Sequence, residues 1–274
     1  MKTALVAIGR RENQYAREWV SHHLALGFDH IYIYDNNHKG EEHFETVLND
    51  FVAENRVTII DYRDIERAQR SAYNDAYQRL SKEYDWLAFF DFDEFLVLPC
   101  RALGPWDALH SKELQGSAGL SSFLEGLPQD YHAVMIPWLM MTDSGLVHND
   151  GRPLMQRFTE STTRGEQQGK CIIRTGIPGA RFTKSVHVPY TPALRCCNPK
   201  GEPTAQHRLQ PRDTSVAYLK HFSTKTIEEW LTNKWQKGAA GCSYEKFQRQ
   251  YADYFFTINE RTPEKEQFIK NFKR

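Results

Sequence analysis

The chain reads as an α/β protein: a mostly parallel central sheet with helices on both faces. Three observations predict this. In the first hundred residues four short apolar runs alternate with three stretches of helical period, the β-α-β-α-β-α-β series from which parallel sheets are built. The loops after Ile8, Tyr34, Tyr62 and Phe90 all carry polar or charged clusters, which places four candidate site loops on one sheet edge. At 274 residues, with 40% hydrophobic and 26% charged side chains, the chain is long enough to bury a large core.

The elements follow in order. Ala4 to Ile8 is a buried strand that opens at Gly9-Arg10-Arg11. Glu12 to Leu26 is a helix, with Tyr15, Trp19 and His22 or His23 at helical spacing and Gly27 as its stop. Phe28 to Tyr34 is the second strand, closing on the turn-forming Asp35-Asn36-Asn37. Phe44, Val47, Leu48 and Phe51 mark the next helix, and Val57 to Tyr62 the third strand. Ala68, Ala72, Tyr73, Ala76, Tyr77 and Leu80 form a third helix before the strand at Trp86. Residues 101 to 118 read as a connection, and Ser121 to Leu127 as a helix that stops before Pro128. Ala133 to Met141 is a strand that Pro137 assigns to an edge or a bulge. Lys170 to Arg174, Phe182 to Val188 and Val216 to Phe222 are short strands, and residues 189 to 214 read as a lid or flexible loop. A helix runs from Thr224 to Lys237, capped by Ser223 or Thr224. A last helix covers Tyr244 to Phe256, and the tail after Glu264 continues as helix.

One segment carries chemistry. In Trp86-Leu-Ala-Phe-Phe-Asp91-Phe-Asp93-Glu94-Phe-Leu-Val-Leu98, an apolar strand breaks into three carboxylates and turns apolar again. Ionised carboxylates at the edge of an apolar core repel one another and are costly to desolvate unless a cation lies among them. Asp91 and Asp93 are two residues apart, so an extended backbone directs both to one side while Phe92 points into the core. Two hard oxygen ligands with open positions suit Mg²⁺ or Mn²⁺ carrying a phosphate-bearing substrate.

Bulk properties exclude other classes. The 35 basic and 35 acidic residues balance, so nothing demands nucleic acid as partner. Five cysteines without Cys-x-x-Cys spacing argue against a disulfide framework or zinc site, and for a reducing cytoplasm. No apolar run approaches the ~20 residues of a membrane span, so the expectation is a cytoplasmic protein with at most peripheral membrane contact.

The ordered motifs Arg10-Arg-Glu12-x-x-Tyr15-x-x-Glu18-Trp19-x-x-x-His23, Tyr34-Asp35-Asn36, Gln69-x-x-Ala72-Tyr73-Asn74 and Trp86-Leu-x-x-x-Asp91-x-Asp93-Glu94-Phe95 resemble the family 92 and related family 2-like glycosyltransferases. Trp138 to Gly145, Phe182-Thr-Lys184-Ser185-Val-His187 and His221-Phe-Ser-Thr-Lys225-x-x-Glu228-Glu229-Trp230 resemble its later blocks. Two departures stand out: Arg10-Arg11-Glu12 replaces the usual Lys-Asn-Glu, and Met141-Thr-Asp143-Ser-Gly145 replaces Phe-Gly-Ser-Ser-Gly.

The resemblance implies a single domain of GT-A type, Rossmann-like, over residues 1–274. Its nucleotide-sugar half is 1–100, its acceptor half 101–240, and 241–274 is a C-terminal helical segment. It implies a nucleotide-sugar donor, a UDP-sugar by preference, and a cation held by the acidic triplet. A hexose would move, with inversion, to a saccharide or glycolipid acceptor in cell-surface polysaccharide or lipopolysaccharide synthesis, at the inner face of the membrane. Asp91, Asp93 and His221 are the candidate metal ligands. Gly9, Arg10, Glu12, Asp35, Gln69, Arg70, Asp91 and Lys184 are the candidate donor contacts, with Arg63 and Lys225 as further phosphate partners. Asp143 is the candidate base for the acceptor hydroxyl, against the alternative of an Asx turn at Asp143-Ser144-Gly145. Two competing functions stand beside this one. One is a phosphohydrolase of the Asp-x-Asp type with Asp91 as nucleophile. The other is a non-catalytic glycan or nucleotide-sugar binder, supported by the aromatics Trp86, Trp106, Trp138 and Trp230.

Overall fold

A computed structural model describes residues 1–99, 118–163, 168–205, 213–237 and 253–272. The sheet is built outward from β1 (Thr3–Gly9), whose seven residues are all buried. It pairs in parallel with β2 (His30–Asp35) and with β4 (Trp86–Phe89), and β2 pairs in parallel with β3 (Val57–Asp61). β5 (Glu94–Val97), β6 (Ala133–Met141), β7 (Ser161–Thr162), β8 (Gly169–Arg174), β9 (Cys196–Cys197) and β10 (Tyr218–His221) complete it. The order is β3-β2-β1-β4-β8-β6-β10-β5, with β7 and β9 also on β6. The half from β3 to β4 is wholly parallel, and beyond it β8 runs antiparallel to both β4 and β6.

Alternation along β1 divides the core. Leu5 and Ala7 face α1 (Asn13–Leu26) and α2 (Phe44–Ala53), packing on Tyr15, Trp19, Phe44 and Leu48. Ala4, Val6 and Ile8 face α3 (Gln69–Leu80), packing on Ala72, Tyr73, Ala76 and Leu80. Helices therefore cover both faces, as the alternating sequence predicts. Gly27 ends α1 at φ 109°, a left-handed cap that a side chain would resist. α4 (Ala118–Glu125) stops before Pro128, and α5 (Leu154–Arg157) is a single turn.

The C-terminal helices depart from a simple pattern. α6 begins as Ile227–Glu229, widens into a π turn over Trp230–Lys234 and closes as Trp235–Lys237. Thr226, not Ser223 or Thr224, caps it, in a reciprocal capping box with Glu229. α7 (Tyr254–Ile258) and α8 (Pro263–Phe272) follow. Of the helix expected over 244–256, only the end is described, and most of the 101–118 connection, with Trp106, lies outside the described residues.

Four local expectations are corrected. The acidic triplet is not extended: Phe90 to Asp93 turn between β4 and β5, closed by the bond from Glu94 N to Asp91 O at 3.0 Å. Phe92 nevertheless points inward, stacked on Phe44 with ring centroids 4.9 Å apart. Pro137 lies in a strand paired on both sides, where the β8 register ends at Pro137↔Gly169 and the β10 register begins at Trp138. At that handover a missing N–H breaks no ladder. Residues 182–188 form a loop, because side chains rather than a neighbouring strand take its backbone groups: Asn74 holds Phe182 N and O, and Arg70 bonds Thr183 O. Residues 189–205 are no free lid either: Leu194, Cys196 and Cys197 are buried and β9 pairs with β6, while 206–212 lie outside the described residues.

Candidate active site

The acidic turn lies at the C-terminal end of β4, where ligands meet a parallel sheet. Three later elements bring cations to it. β8 pairs antiparallel with β4 as far as Ala88↔Ile172, so Lys170, two residues on, projects over the turn. β10 runs antiparallel to β5 with His221 opposite Glu94, and Phe222 N donates to Asp93 O at 2.8 Å. That register sets the His221 ring beside Asp93. α6 delivers Lys234 and Lys237. Its first turn is fixed by Glu229, whose carboxylate accepts two bonds from buried Arg157 (2.9 and 3.0 Å) and one from Tyr15 Oη at 2.5 Å.

Each acid of the triplet has its own environment. Both oxygens of Asp91 are engaged: Oδ2 accepts from Lys170 Nζ at 2.8 Å, and Oδ1 from Gln69 Nε2 at 2.8 Å and Tyr73 Oη at 3.1 Å. Burial pushes its carboxyl up, and the Lys170 ammonium outweighs that to hold it below the ordinary value. Asp93 lies 3.2 Å from Lys234 Nζ through Oδ2 and 3.6 Å from His221 Nε2 through Oδ1. Burial opposes its ionisation, yet Lys234, His221, Lys225 and Lys237 together hold its pKa far below the carboxylate range. Glu94 is fully buried and accepts Asp91 N at 2.8 Å, while its Oε1 has no hydrogen-bond partner among the described residues. Burial dominates there and drives its pKa well above the ordinary carboxyl value.

Beside the triplet, Glu12 pairs with Lys237 and stands 3.8 Å from Lys225, whose ammonium lies over the Tyr15 ring at 4.5 Å. Lysines 170, 225, 234 and 237 thus face Asp91, Asp93, Glu94 and Glu12. Four ammonium groups gathered at one turn suit a diphosphate. His187 and His221 flank Trp138, with ring centroids 5.3 and 4.3 Å away. Burial lowers both imidazoles to about 4, so both are neutral near pH 7.

The residues fit a divalent cation at one place. Neighbouring ligand atoms on an octahedral cation with bonds of ~2.1 Å lie roughly 3 Å apart, close to the 3.6 Å between Asp93 Oδ1 and His221 Nε2. The His221 imidazole is neutral near pH 7 and turns Nε2 towards Asp93, the form in which it can ligate a cation. Among the described residues no three His, Cys, Asp or Glu side chains are grouped so as to hold a metal ion.

The other candidates divide. Gln69 belongs to the site through Asp91, and Glu12 and Arg10 through Lys237, which also donates to Arg10 O at 2.9 Å. Gly9 supports the turn from below: a Cβ there would stand 2.6 Å from the Phe92 ring. Arg70 ties α3 to the 182–188 loop, and Lys184 lies over the Tyr190 ring at 4.3 Å. Asp35 is fully buried, accepting from Arg63 at 2.9 Å and from Asn37 N at 2.9 Å, so a nucleotide would have to displace those bonds. Asp143 is not brought to this group. Its carboxylate forms the Asx turn to Gly145 N and a buried ion pair with Lys265 at 2.5 Å. Lys170, Lys234, Lys237 and Tyr73 are the site residues that sequence reasoning missed; a lone lysine inside the apolar run Gly169–Arg174 was the available signal for the first.

Residues 8–253 match the model of Glycosyltransferase family 92. A galactan β-1,4-galactosyltransferase of Arabidopsis thaliana (GALS3) is 35% identical over 101 residues, which cover 34% of this chain and 20% of that protein. A glycosyltransferase family 92 protein of Ricinus communis is 34% identical over 86 residues, 31% of this chain and 14% of the relative. The chain thus spans a fifth or less of the length of these relatives. Among solved structures, S. aureus TarS (1–349) covers 98% of this chain and 78% of its own, at 11% identity and a TM-score of 0.43.

Proposed function

The chain belongs to glycosyltransferase family 92, and on that premise we propose that it transfers a hexose from a nucleotide-diphosphate sugar, a UDP-sugar by preference, to a saccharide or glycolipid acceptor. The observation that carries this reading is the acidic turn at the β4 terminus with four lysines around it. A departing nucleoside diphosphate needs its growing negative charge met, and positioned ammonium groups meet it without reorganisation. Lys225, Lys234 and Lys237 are the residues for that task. Asp93 and His221 are the residues to hold a divalent cation, Mn²⁺ or Mg²⁺, which when bound supplies Lewis-acid stabilisation of the diphosphate. Asp91 has a different part. With both oxygens engaged, it orients the turn through Gln69, Tyr73 and Lys170.

A phosphohydrolase would use Asp91 as nucleophile, and the bonds from Lys170, Gln69 and Tyr73 to both its oxygens fit an orienting role better. The aromatic side chains that would support a passive glycan binder are core: Trp86, Trp138 and Trp230 are 2–5% exposed. Inversion and a role in cell-surface polysaccharide or lipopolysaccharide synthesis complete the proposal, whereas the buried ion pair with Lys265 makes Asp143 a structural residue and leaves the acceptor base unassigned. No described helix is long and apolar enough to cross a membrane. Incubation with a panel of nucleotide sugars and Mn²⁺ tests the reading. Slow metal-dependent hydrolysis of one donor supports it, whereas release of phosphate from monoesters, or binding without turnover, overturns it.

A further inference from the structure

Two lysines neutralise the acidic turn in different ways. Lys170 is fixed: it projects from a central strand, its side chain is 1% exposed, and its ammonium is shared by Asp91 and Glu94. Lys234 is not. Its side chain is 27% exposed and reaches Asp93 from the π turn of α6, through one ion pair at 3.2 Å. A π turn inserts one residue, which rotates the rest of the helix by about 100° relative to a regular one, and such turns collect at functional sites. An ammonium on a flexible stem has no fixed geometry to satisfy, so it changes partner readily.

Asp93, by contrast, is 5% exposed and cannot do without a cation. A divalent ion between Asp93 Oδ1 and His221 Nε2 would crowd an ammonium on Oδ2 of the same carboxylate. Lys234 would then need a new anion. Lys225 and Lys237 stand beside it, sharing the single carboxylate of Glu12, so ammonium charge is at hand for a second anion.

We propose that Lys234 is an exchangeable counter-ion, balancing Asp93 before donor binds and turning to the diphosphate when a divalent cation takes its place on the carboxylate. This rests on the donor-site reading above. The exchange makes cation and diphosphate each improve the other's binding, and by linkage the two factors are equal.

Calorimetric titration with Mn²⁺ alone, and with Mn²⁺ plus UDP, tests it on the wild type, Lys234→Met and Lys234→Arg. In the wild type, UDP should tighten Mn²⁺ binding by about tenfold or more. In Lys234→Met, Mn²⁺ alone should bind about tenfold tighter than in wild type, and UDP should tighten it clearly less than in wild type, leaving only the share that comes from direct contact of the diphosphate with the ion. Lys234→Arg keeps the charge and should restore weak binding of the metal alone. If Lys234→Met does not fold, Lys234→Gln takes its place in the same comparison. Unchanged Mn²⁺ affinity in the charge-deleted variant, or synergy with UDP equal to wild type, overturns the counter-ion role while the donor-site reading stands. A wild-type protein that binds no Mn²⁺ even with UDP overturns both.

Discussion

Lys170→Met deletes an ammonium from the interior side of the acidic turn while keeping most of the stem's volume. In the wild type that ammonium lies 2.8 Å from Asp91 and 3.9 Å from Glu94. Its loss leaves Asp91, whose side chain is 33% exposed, and Glu94, which is fully buried, without a cation between them. Removing one partner of a buried ion pair costs roughly 3–5 kcal/mol. Glu94 already favours its neutral form, which relieves part of the strain, so about 3 kcal/mol is expected. For a domain of this size that corresponds to a fall in Tm of about 6–12 °C.

The pH dependence gives the sharper test. In the wild type the Asp91 pKa is depressed, so its contribution is present above the ordinary value of 3.8 and fades as pH falls through the folded value. In the variant the Asp91 and Glu94 values both move up. A carboxyl with a raised folded pKa stabilises fully below its unfolded value and loses that contribution as pH rises through the folded one. The penalty should therefore be small near about pH 4 and grow towards about pH 8. Urea unfolding followed by tryptophan fluorescence across that range measures it. A loss under about 1 kcal/mol, or one independent of pH, would refute the view that Lys170 neutralises the turn.

Other substitutions separate donor chemistry from scaffold. Asp93→Asn keeps the shape but removes both a cation ligand and the charge that Lys234 faces, so donor turnover should fall on the order of 10²-fold or more and the melting temperature should drop with it; near-normal turnover would remove Asp93 from the metal. Gly9→Ala places a methyl 2.6–2.7 Å from the Phe92 and Phe44 rings, and should cost about 1–3 kcal/mol in urea unfolding along with turnover, because the acidic turn rides on Phe92. Asp143→Ala strands Lys265, 1% exposed, and should lose about 3–5 kcal/mol of stability. The base assignment predicts the reverse, a kcat loss in a protein of unchanged stability, so one melt and one rate measurement decide Asp143's role.

The legible part of this molecule is the part that local pattern dictates. β1 through β4 and the helices between them announce themselves because each element buries a face whose period shows in the sequence, as Leu5 and Ala7 against Val6 and Ile8 do. The acidic triplet was visible for the same reason, as three carboxylates interrupting a buried run. The groups that answer the triplet were not visible. Lys170 acts through the register of β8 on β4, and Lys234 through a one-residue π insertion that no hydrophobic period encodes. Asp143 shows the converse: a plausible acid by position in sequence, it is taken up by Lys265, which lies 122 residues later and becomes its neighbour only when α8 docks. A buried charge implies a partner by energetic necessity, but the identity of that partner is a property of the assembled sheet. Three unpaired acids in sequence therefore mark where cations must gather, and the folded sheet decides which lysines those are.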